Sequence, residues 1–500
     1  MTSETALLLN AVSPSDADAV FAAGAKAVKS GLEAEALPLL EQAAARHPGD
    51  ARIWQVLGLA HRKLEDLAPA VAAFEKAAAL APSDPLIAHS LARCAMEAGL
   101  PAVALFDRAL TLAPTDGSVL LGRAAAQLAE GRIEQAIAAL DAQLRQHPGW
   151  LPGHATLCRL RWLTGERASF TASFEAAVAA APREVAIWRE WADTLMHAGH
   201  YDAALAVVDG GRAAAGANMV FDALETVVMA EKGEIDAADR LFAALGPIEH
   251  ISMAARYMRH LLRAGRPAEA AAFAEPWLAS PEADLIWPYV ATAWRMTDDP
   301  RRQWLEGDER FVGIYDIGDS IPSLDALAET LRGLHLTLHQ PLEQSVRGGT
   351  QTDGPLFSRI EPEIRALRAA IVAAVGRHIA QLPPPQAGHP TLIAKRAPVR
   401  FSGSWSVRLP GAGFHSNHIH PAGWISSAFY VALPPMGTDH EGWLTLGEPQ
   451  AELGLDVAPF RHIEPKPGRL VLFPSTMWHG TVPFRAGERL TVAFDVARPA

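Results

Sequence analysis

Five prolines at a nearly constant spacing constrain the fold of this chain more than any other feature. They are separated by 34, 32, 34 and 34 residues, and each follows an alanine-rich stretch with helical spacing: Pro48, Pro82, Pro114, Pro148 and Pro182. A fixed period of this length indicates an array of helix pairs, in which each pair buries its apolar face only by stacking on its neighbours. An α-solenoid of another kind or a plain helical bundle is the alternative.

The segment 51–84 shows the pattern of one repeat best. Its small residues, Gly58 and Ala70, let two antiparallel helices approach each other, while Leu57 and Phe74 fill the space between neighbours. A proline ends the unit. This pattern resembles the tetratricopeptide repeat. The resemblance implies a concave surface of the kind that commonly holds a peptide or a partner protein.

The repeat pattern extends over residues 17–300 as about eight helix pairs, after a lead-in at residues 1–16. It weakens along the chain, since residues 219–249 and 250–284 keep only the amphipathic rhythm and a few small residues. The array offers a surface for a polypeptide substrate or partner. Such repeats can equally serve to dock on a neighbouring domain or to dimerise.

The character of the chain changes after residue 300. Residues 301–400 are predicted to be a connecting, pre-barrel helical region, in which one amphipathic helix ends before three consecutive prolines. Over residues 401–500 the apolar period becomes that of strands, which are predicted at Ser404–Leu409, Ile425–Leu433, Trp443–Leu446, Arg469–Phe473 and Leu490–Val496. The predicted fold class is multidomain: an all-α tetratricopeptide-type solenoid followed by an α+β domain built on a double-stranded β-helix, or jelly roll.

Charge and cysteine usage exclude several classes of protein. Acidic residues outnumber basic ones, 56 against 44, so a broad basic surface for nucleic acid is not expected. No apolar stretch is long enough for a membrane helix, and the first residues lack a basic segment and apolar core of a signal peptide. Cys94 and Cys158 fall within helical patterns and are predicted to be buried thiols. We therefore expect a cytoplasmic protein without membrane contact.

Three histidines and one arginine form the pattern that carries chemistry. On a predicted strand, His418 and His420 share one face, about 7 Å apart at their backbones. His479 follows a buried apolar strand and could be turned toward them. Three imidazoles that leave coordination positions open are typical of a non-heme Fe(II) oxygenase rather than of a closed structural site. Arg489 has the planar guanidinium that binds a carboxylate with two parallel hydrogen bonds, and Thr491 shares its strand face.

This order of residues resembles that of the 2-oxoglutarate- and Fe(II)-dependent oxygenase superfamily. The resemblance implies that His418 and His479 are histidine ligands of Fe(II), that Arg489 grips the distal carboxylate of 2-oxoglutarate, and that Thr491 is its hydroxyl companion. It also implies O2 as co-reactant and no catalytic group beyond the metal centre. The resemblance covers residues 340–496, about a third of the chain, which is similar to a bacterial and phage branch of these oxygenases.

One residue departs from the usual pattern of that superfamily. The second position normally carries Asp or Glu, whereas here it is His420. A neutral three-histidine set leaves the metal more positive than a set with a carboxylate. Either His420 is a third ligand, or a water fills its place. His415, three residues before His418, is expected to be exposed or to stand behind the ligands.

Two other interpretations are compatible with these residues. Cupins also use a His-x-His strand, but they generally place a glutamate shortly after it, and the interval 421–426 contains none. Arg489 would have no assigned task in a cupin-like metalloprotein. A non-catalytic repeat scaffold or sensor with a degenerate barrel is the second alternative.

Three further side chains are candidates for the same site. Tyr430 lies on the strand after the histidine pair, where its hydroxyl could donate to 2-oxoglutarate, although a core tyrosine is also consistent with its position. Arg408, on the strand of Trp405, is a candidate for the substrate side of the pocket. Trp424 is another, although tryptophans of this kind are more often core residues.

Overall fold

A computed structural model describes residues 5, 6, 9, 11–435, 437 and 439–499. Its contacts divide the chain into two compact units, one of Met1–Ala139 with Asp353–Arg365, the other of Leu140–Thr352 with Ala366–Ala500. The repeat array therefore contributes helices to both units. The boundaries predicted at residues 300 and 400 stay predictions, and part of the lead-in predicted at residues 1–16 lies outside the described residues.

The described N-terminal part folds into eight successive helix pairs, numbered here in chain order. They are Ala17–Lys29 with Glu33–Arg46, Ala51–Lys63 with Leu67–Leu80, Pro85–Glu97 with Val103–Leu112, Gly117–Ala129 with Ile133–Gln146, Leu151–Thr164 with Ala172–Ala180, Val185–His197 with Tyr201–Ala215, Met219–Lys232 with Ile235–Leu245, and Ile251–Arg263 with Pro267–Ala274. Three α-helices of ten or more residues follow the repeats: Trp287–Met296, Leu324–Gly333 and Pro362–Gln381.

Three of the five recurring prolines are followed, two residues later, by an aspartate that caps the next helix. Asp50, Asp84 and Asp116 each accept a hydrogen bond from a backbone N–H of the helix that they precede, at 2.8 to 3.0 Å. Such caps contribute about 1 kcal/mol each. Inside the second pair, a Cβ added to Gly58 would lie 3.0 Å from the Phe74 ring. The small residue therefore permits the close helix contact that the sequence predicts.

The C-terminal part is built on antiparallel sheets. Its strands are β1 Gly313–Asp316, β2 Val346–Arg347, β3 Thr350–Gln351, β4 Phe401–Pro410, β5 Phe414–His415, β6 Ile425–Ala432, β7 Leu444–Leu446, β8 Arg461–Ile463, β9 Arg469–Pro474, β10 His479–Thr481 and β11 Glu488–Val496. Six form a sheet in the order β1-β9-β6-β11-β4-β3, three form the order β10-β7-β8, and β2 pairs with β5. The five strands predicted from the apolar alternation of residues 404–496 are present, as β4, β6, β7, β9 and β11.

The fold class predicted from the sequence is confirmed: a tetratricopeptide-type helical solenoid precedes an α+β domain rich in sheet. Strand β1 was not predicted, because it is a four-residue edge strand inside a region of helical character. None of the helices in the described part of the chain combines the length and the apolar character needed to span a bilayer.

Two buried histidines outside the candidate site make stability depend on pH. Burial lowers the pKa of both His378 and His389 to about 4. The unfolded chain then binds protons from about pH 6.5 downward while the folded chain does not, so stability is lost as pH falls from about 6.5 toward 4. Each group contributes at most about 1.4 kcal/mol per pH unit.

We therefore expect the melting temperature, followed by near-ultraviolet circular dichroism, to fall between pH 7 and pH 5. The signal is suitable because Trp304 packs on His389, with ring centroids 4.6 Å apart. The double variant His378→Gln, His389→Gln should show a flatter profile, whereas His250→Gln, at an exposed position, should not. An unchanged profile in the double variant would contradict the assignment.

Candidate metal centre

Three imidazoles converge in the C-terminal domain. His479 begins β10, and His418 faces it through a pair of backbone hydrogen bonds, His418 N–H to His479 O at 2.9 Å and His479 N–H to His418 O at 3.1 Å. His420 follows two residues after His418. One nitrogen of each ring lies within 4.8 Å of the other two. The structure thus brings together the three histidines that the sequence singled out.

The prediction that His418 and His420 share a regular strand is wrong. Only His418 forms a bridge, and it is isolated from the named strands. The His420 N–H instead donates to Ser475 O at 3.0 Å, and the following Pro421 has no N–H with which to continue a ladder. The two rings still approach each other, with centroids 4.8 Å apart.

Each of the three rings has an acceptor at Nδ1. That of His418 lies 2.8 Å from Ser416 O, that of His479 lies 3.1 Å from Met477 O, and that of His420 lies 2.8 Å from a carboxylate oxygen of Asp495. An acceptor at Nδ1 holds the proton there and leaves Nε2 as the unprotonated nitrogen, which is the usual arrangement for metal-binding histidines. The donor set therefore fits a divalent transition metal.

Burial keeps the rings of His418 and His479 neutral. It is the largest cause that holds the pKa of His418 and of His479 well below the usual value, and the neighbouring imidazoles add to it. The pKa of His415, which lies beside His418, is lowered to about 3, again mainly by burial. Neutral imidazole is the form that binds metals, so these side chains stay competent as ligands at neutral pH.

Asp495 is a site residue that the sequence reasoning missed. Its carboxylate is buried, contacts His420 and accepts a hydrogen bond from Ser426 Oγ at 2.5 Å. The signal was present in the sequence, because residues 489, 491, 493 and 495 share one face of β11 and all four line the same pocket. The usual ligand position carries no carboxylate here; the carboxylate of Asp495 instead contacts the histidine at that position, His420.

Arg489 is buried beside the histidines without an ionic partner. Its guanidinium donates to Gly442 O and lies 5.2 Å from the Tyr430 ring centre. Neither Arg489 Nε nor the Tyr430 hydroxyl has a partner at hydrogen-bond geometry. Within the described ranges, no carboxylate forms an ion pair with the guanidinium. Thr491 also lines the pocket. A buried cation with unused donors fits an anionic ligand, since such groups are otherwise costly to bury.

The two candidates for the substrate side lie elsewhere. Arg408 is partly exposed and pairs with Glu488 at 2.7 Å, and it is absent from the described lining of the pocket. Trp424 is buried, and its indole N–H donates to Thr391 O at 2.9 Å. Neither residue is among the described residues that line the pocket.

Ser345 and His415 are further neighbours of the three histidines. Ser345 Oγ lies 3.1 Å from His418 Nε2 and 3.2 Å from His415 Nδ1. His415 is half-buried, stacks on His418 with centroids 6.0 Å apart and lines the same pocket. Nothing in the local sequence predicted that Ser345, about seventy residues away, would reach this pocket.

The position of His479 is fixed by the residue before it. The Trp478 indole is buried against helix Trp287–Met296, where its N–H reaches Pro288 O at 3.1 Å and Thr292 Oγ1 at 3.0 Å. Tyr289 packs edge-on against the same indole. The helix after the last repeat pair therefore anchors the turn that presents His479.

Comparison with protein families finds three matches. Residues 21–85 and 101–159 match tetratricopeptide repeat models, and residues 403–495 match the family described as "Putative 2OG-Fe(II) oxygenase". The last match includes every histidine of the cluster as well as Arg489, Thr491 and Asp495. A comparison with the curated proteins finds no match.

Several solved structures are similar to parts of the chain. A tetratricopeptide repeat protein from Parabacteroides merdae is 16% identical, with 46% of this chain and 91% of that chain covered and a TM-score of 0.31. A prolyl-4-hydroxylase from Pseudomonas putida is 16% identical, with 43% of this chain and 100% of that chain covered and a TM-score of 0.26. The family matches show that the chain carries tetratricopeptide repeats in its N-terminal part and a domain of the 2-oxoglutarate and Fe(II) oxygenase family at its C-terminal end.

Proposed function

We propose that the chain is a 2-oxoglutarate- and Fe(II)-dependent dioxygenase that hydroxylates its substrate. In this reaction 2-oxoglutarate, O2 and a substrate C–H bond give succinate, carbon dioxide and a C–OH group. One observation carries the proposal most directly: three clustered imidazoles, of which His479 is buried, line one pocket with a buried arginine that has no carboxylate partner among the described residues.

His418, His420 and His479 would hold Fe(II). The iron, when bound, supplies the O2 chemistry that no side chain can provide. Burial keeps His418 and His479 neutral, and an acceptor at Nδ1 orients each of the three rings. Asp495, through His420, adds a negative charge near the metal and offsets part of the charge that an all-histidine ligand set leaves uncompensated.

Arg489 would bind the distal carboxylate of 2-oxoglutarate, with Thr491 as a hydroxyl partner. The Tyr430 hydroxyl, whose pKa is raised mainly by burial, stays protonated and is available as a donor. Because the guanidinium is buried and water is largely excluded, a bidentate ion pair there is stronger than it would be at the surface. These contacts orient the cosubstrate; they do not take part in bond breaking.

The cupin-like and scaffold alternatives leave this arginine without a task. A buried cation that makes one backbone hydrogen bond destabilises a domain that has no anionic ligand.

Succinate release distinguishes an active oxygenase from a non-catalytic barrel. Wild-type protein with Fe(II), ascorbate, O2 and 2-oxoglutarate should form succinate above the rate of the His479→Ala variant, whereas equal rates would favour a non-catalytic barrel.

Asp495 offers a prediction about the ligands themselves. Asp495→Ala should weaken Co(II) or Fe(II) binding by about 10- to 100-fold, the usual range for a lost partner of a metal-binding histidine. Asp495→Asn keeps an acceptor for His420 and should lose less. Competition with a chromophoric chelator measures both affinities.

Asp316→Ala is the matched control, because Asp316 pairs with Arg469 on the domain surface and touches no histidine of the cluster. Equal metal affinity in Asp495→Ala and wild type would contradict the role of Asp495 as the partner of a metal-binding His420.

A further inference from the structure

A twelve-residue segment without helix or strand, residues 334–345, contacts both the repeats and the metal pocket. Most connections between elements of compact folds are about 4 to 6 residues long, so this segment is longer than usual. It follows helix Leu324–Gly333 and leads directly into β2. All of its neighbours described below belong to the same compact unit. Residues 339–345 are called the strap here.

The strap is seated on repeat pairs 5 and 6. Leu342 is buried in the apolar cluster that their helices form with the next helix, Met219–Lys232. A Cβ added to Gly165, at the end of the first helix of pair 5, would lie 2.8 Å from His339 Nε2. Glu343 lies 4.0 Å from His197, at the end of the first helix of pair 6. The strap therefore crosses the ends of two successive first helices.

The other end of the strap reaches the candidate ligands. Gln344 and Ser345 line the pocket of the three histidines. Ser345 Oγ lies 3.1 Å from His418 Nε2, and Ser345 O accepts a hydrogen bond from the Ser416 N–H at 3.0 Å. Imidazole has one lone pair at Nε2, so a hydrogen bond from Ser345 and a metal ion at that nitrogen exclude each other. Strap position and metal binding are thereby coupled.

We propose that the strap occupies, on repeat pairs 5 and 6, the position where an extended polypeptide ligand would bind. Leu342 holds the strap in this position, and Ser345 restrains the metal pocket. An extended polypeptide with an aliphatic side chain displaces Leu342 and frees Ser345 from His418. This inference rests on the proposed function only in naming the substrate class. The coupling itself requires neither 2-oxoglutarate nor turnover.

Leu342 anchors the strap, as both its packing against the repeats and its low exposure indicate. It is 9% exposed, whereas Leu336 and Leu338 in the same segment are 51% and 78% exposed. A tethered segment competes at a high effective concentration, of the order of millimolar for a short flexible link. A free polypeptide must therefore outcompete the strap, and weakening the anchor should make that competition easier.

The test uses a fluorescein-labelled peptide with the sequence of residues 334–347, added to the full chain. The peptide should bind the Leu342→Asp protein at least tenfold more tightly than wild type, because that protein's own strap no longer occupies the position. The Leu338→Asp protein, with the same substitution at an exposed site, should behave as wild type. A peptide that itself carries Leu342→Asp should not bind. Equal binding to all three proteins, or none to Leu342→Asp, would overturn the proposal.

A second measurement is independent of whether Leu342→Asp folds. Ser345→Ala removes the competing hydrogen bond and should raise Co(II) affinity about two- to tenfold, as expected for one net hydrogen bond. Unchanged or weaker Co(II) binding in Ser345→Ala would contradict the coupling. Failure of 2-oxoglutarate to bind, with both results as expected, would remove the oxygenase function and leave the strap in place.

Discussion

Replacing His479 by alanine is expected to lower the affinity for Fe(II) by more than about a hundredfold. The loss of a ligand should exceed the 10- to 100-fold effect of losing a partner that only orients one. The fold also fixes the position of His479, since its backbone pairs with that of His418 and the indole of Trp478 donates to Pro288 O of helix Trp287–Met296. Anaerobic competition with a chromophoric chelator gives the affinity.

His462→Ala is the matched control for this variant. His462 is an exposed histidine on β8 of the same domain, and it stacks on His440 rather than on the cluster. Its removal should leave the affinity for Fe(II) unchanged. If the two variants bound Fe(II) equally well, the three-histidine site would be excluded.

Replacing Arg489 by methionine is expected to weaken 2-oxoglutarate binding by roughly 2–5 kcal/mol, about 30-fold or more, while Fe(II) affinity changes little. The reason is that the only buried guanidinium among the described pocket-lining residues is removed from the place where the distal carboxylate would bind. Isothermal titration under anaerobic conditions measures both constants. Arg408→Met is the control, because Arg408 lies on the neighbouring strand and pairs with Glu488.

Arg489→Met should also show how far the buried guanidinium lowers the stability of the protein in the absence of 2-oxoglutarate. Burial lowers the pKa of the Arg489 guanidinium, which means that the charged form is disfavoured there. Without cosubstrate, Arg489→Met should therefore melt at the same temperature as wild type or higher. Added 2-oxoglutarate should raise the melting temperature of the Fe(II)-loaded wild type but not of the variant. A lower melting temperature with normal 2-oxoglutarate binding would contradict the assignment.

Much of the fold could be predicted because its signals are local. The prolines, the small residues at helix contacts and the alternation of Ser404–Leu409 each depend on residues close in sequence, and helices and strands follow at those places. Strand β1 was missed for the opposite reason. Gly313–Asp316 is a strand only because it pairs with β9, more than 150 residues later.

The candidate site could be predicted only in part. His418, His420, His479 and Arg489 stand out by residue type and spacing, and the structure places them around one pocket. The strand geometry assumed for the first two was wrong, since tertiary hydrogen bonds to β10 and to Ser475 replace a ladder there.

The partners of these side chains were hidden from sequence reasoning for two different reasons. Asp495 could have been found from the alternation of β11, on which Arg489 and Thr491 were recognised. Ser345 could not, because its approach to His418 depends on how the strap crosses repeat pairs 5 and 6. Local patterns thus identified the candidate ligands, while the groups that orient or restrain them required the tertiary structure.

An anaerobic titration of the Fe(II)-loaded protein with 2-oxoglutarate tests the proposed function most directly, because it needs no knowledge of the substrate. Bidentate coordination of the cosubstrate to iron produces a visible charge-transfer absorption. We expect this absorption to appear and saturate in wild type, and to require much more 2-oxoglutarate in Arg489→Met. Fe(II) bound by the three histidines without any such absorption would contradict the oxygenase assignment and favour a cupin-like or non-catalytic barrel.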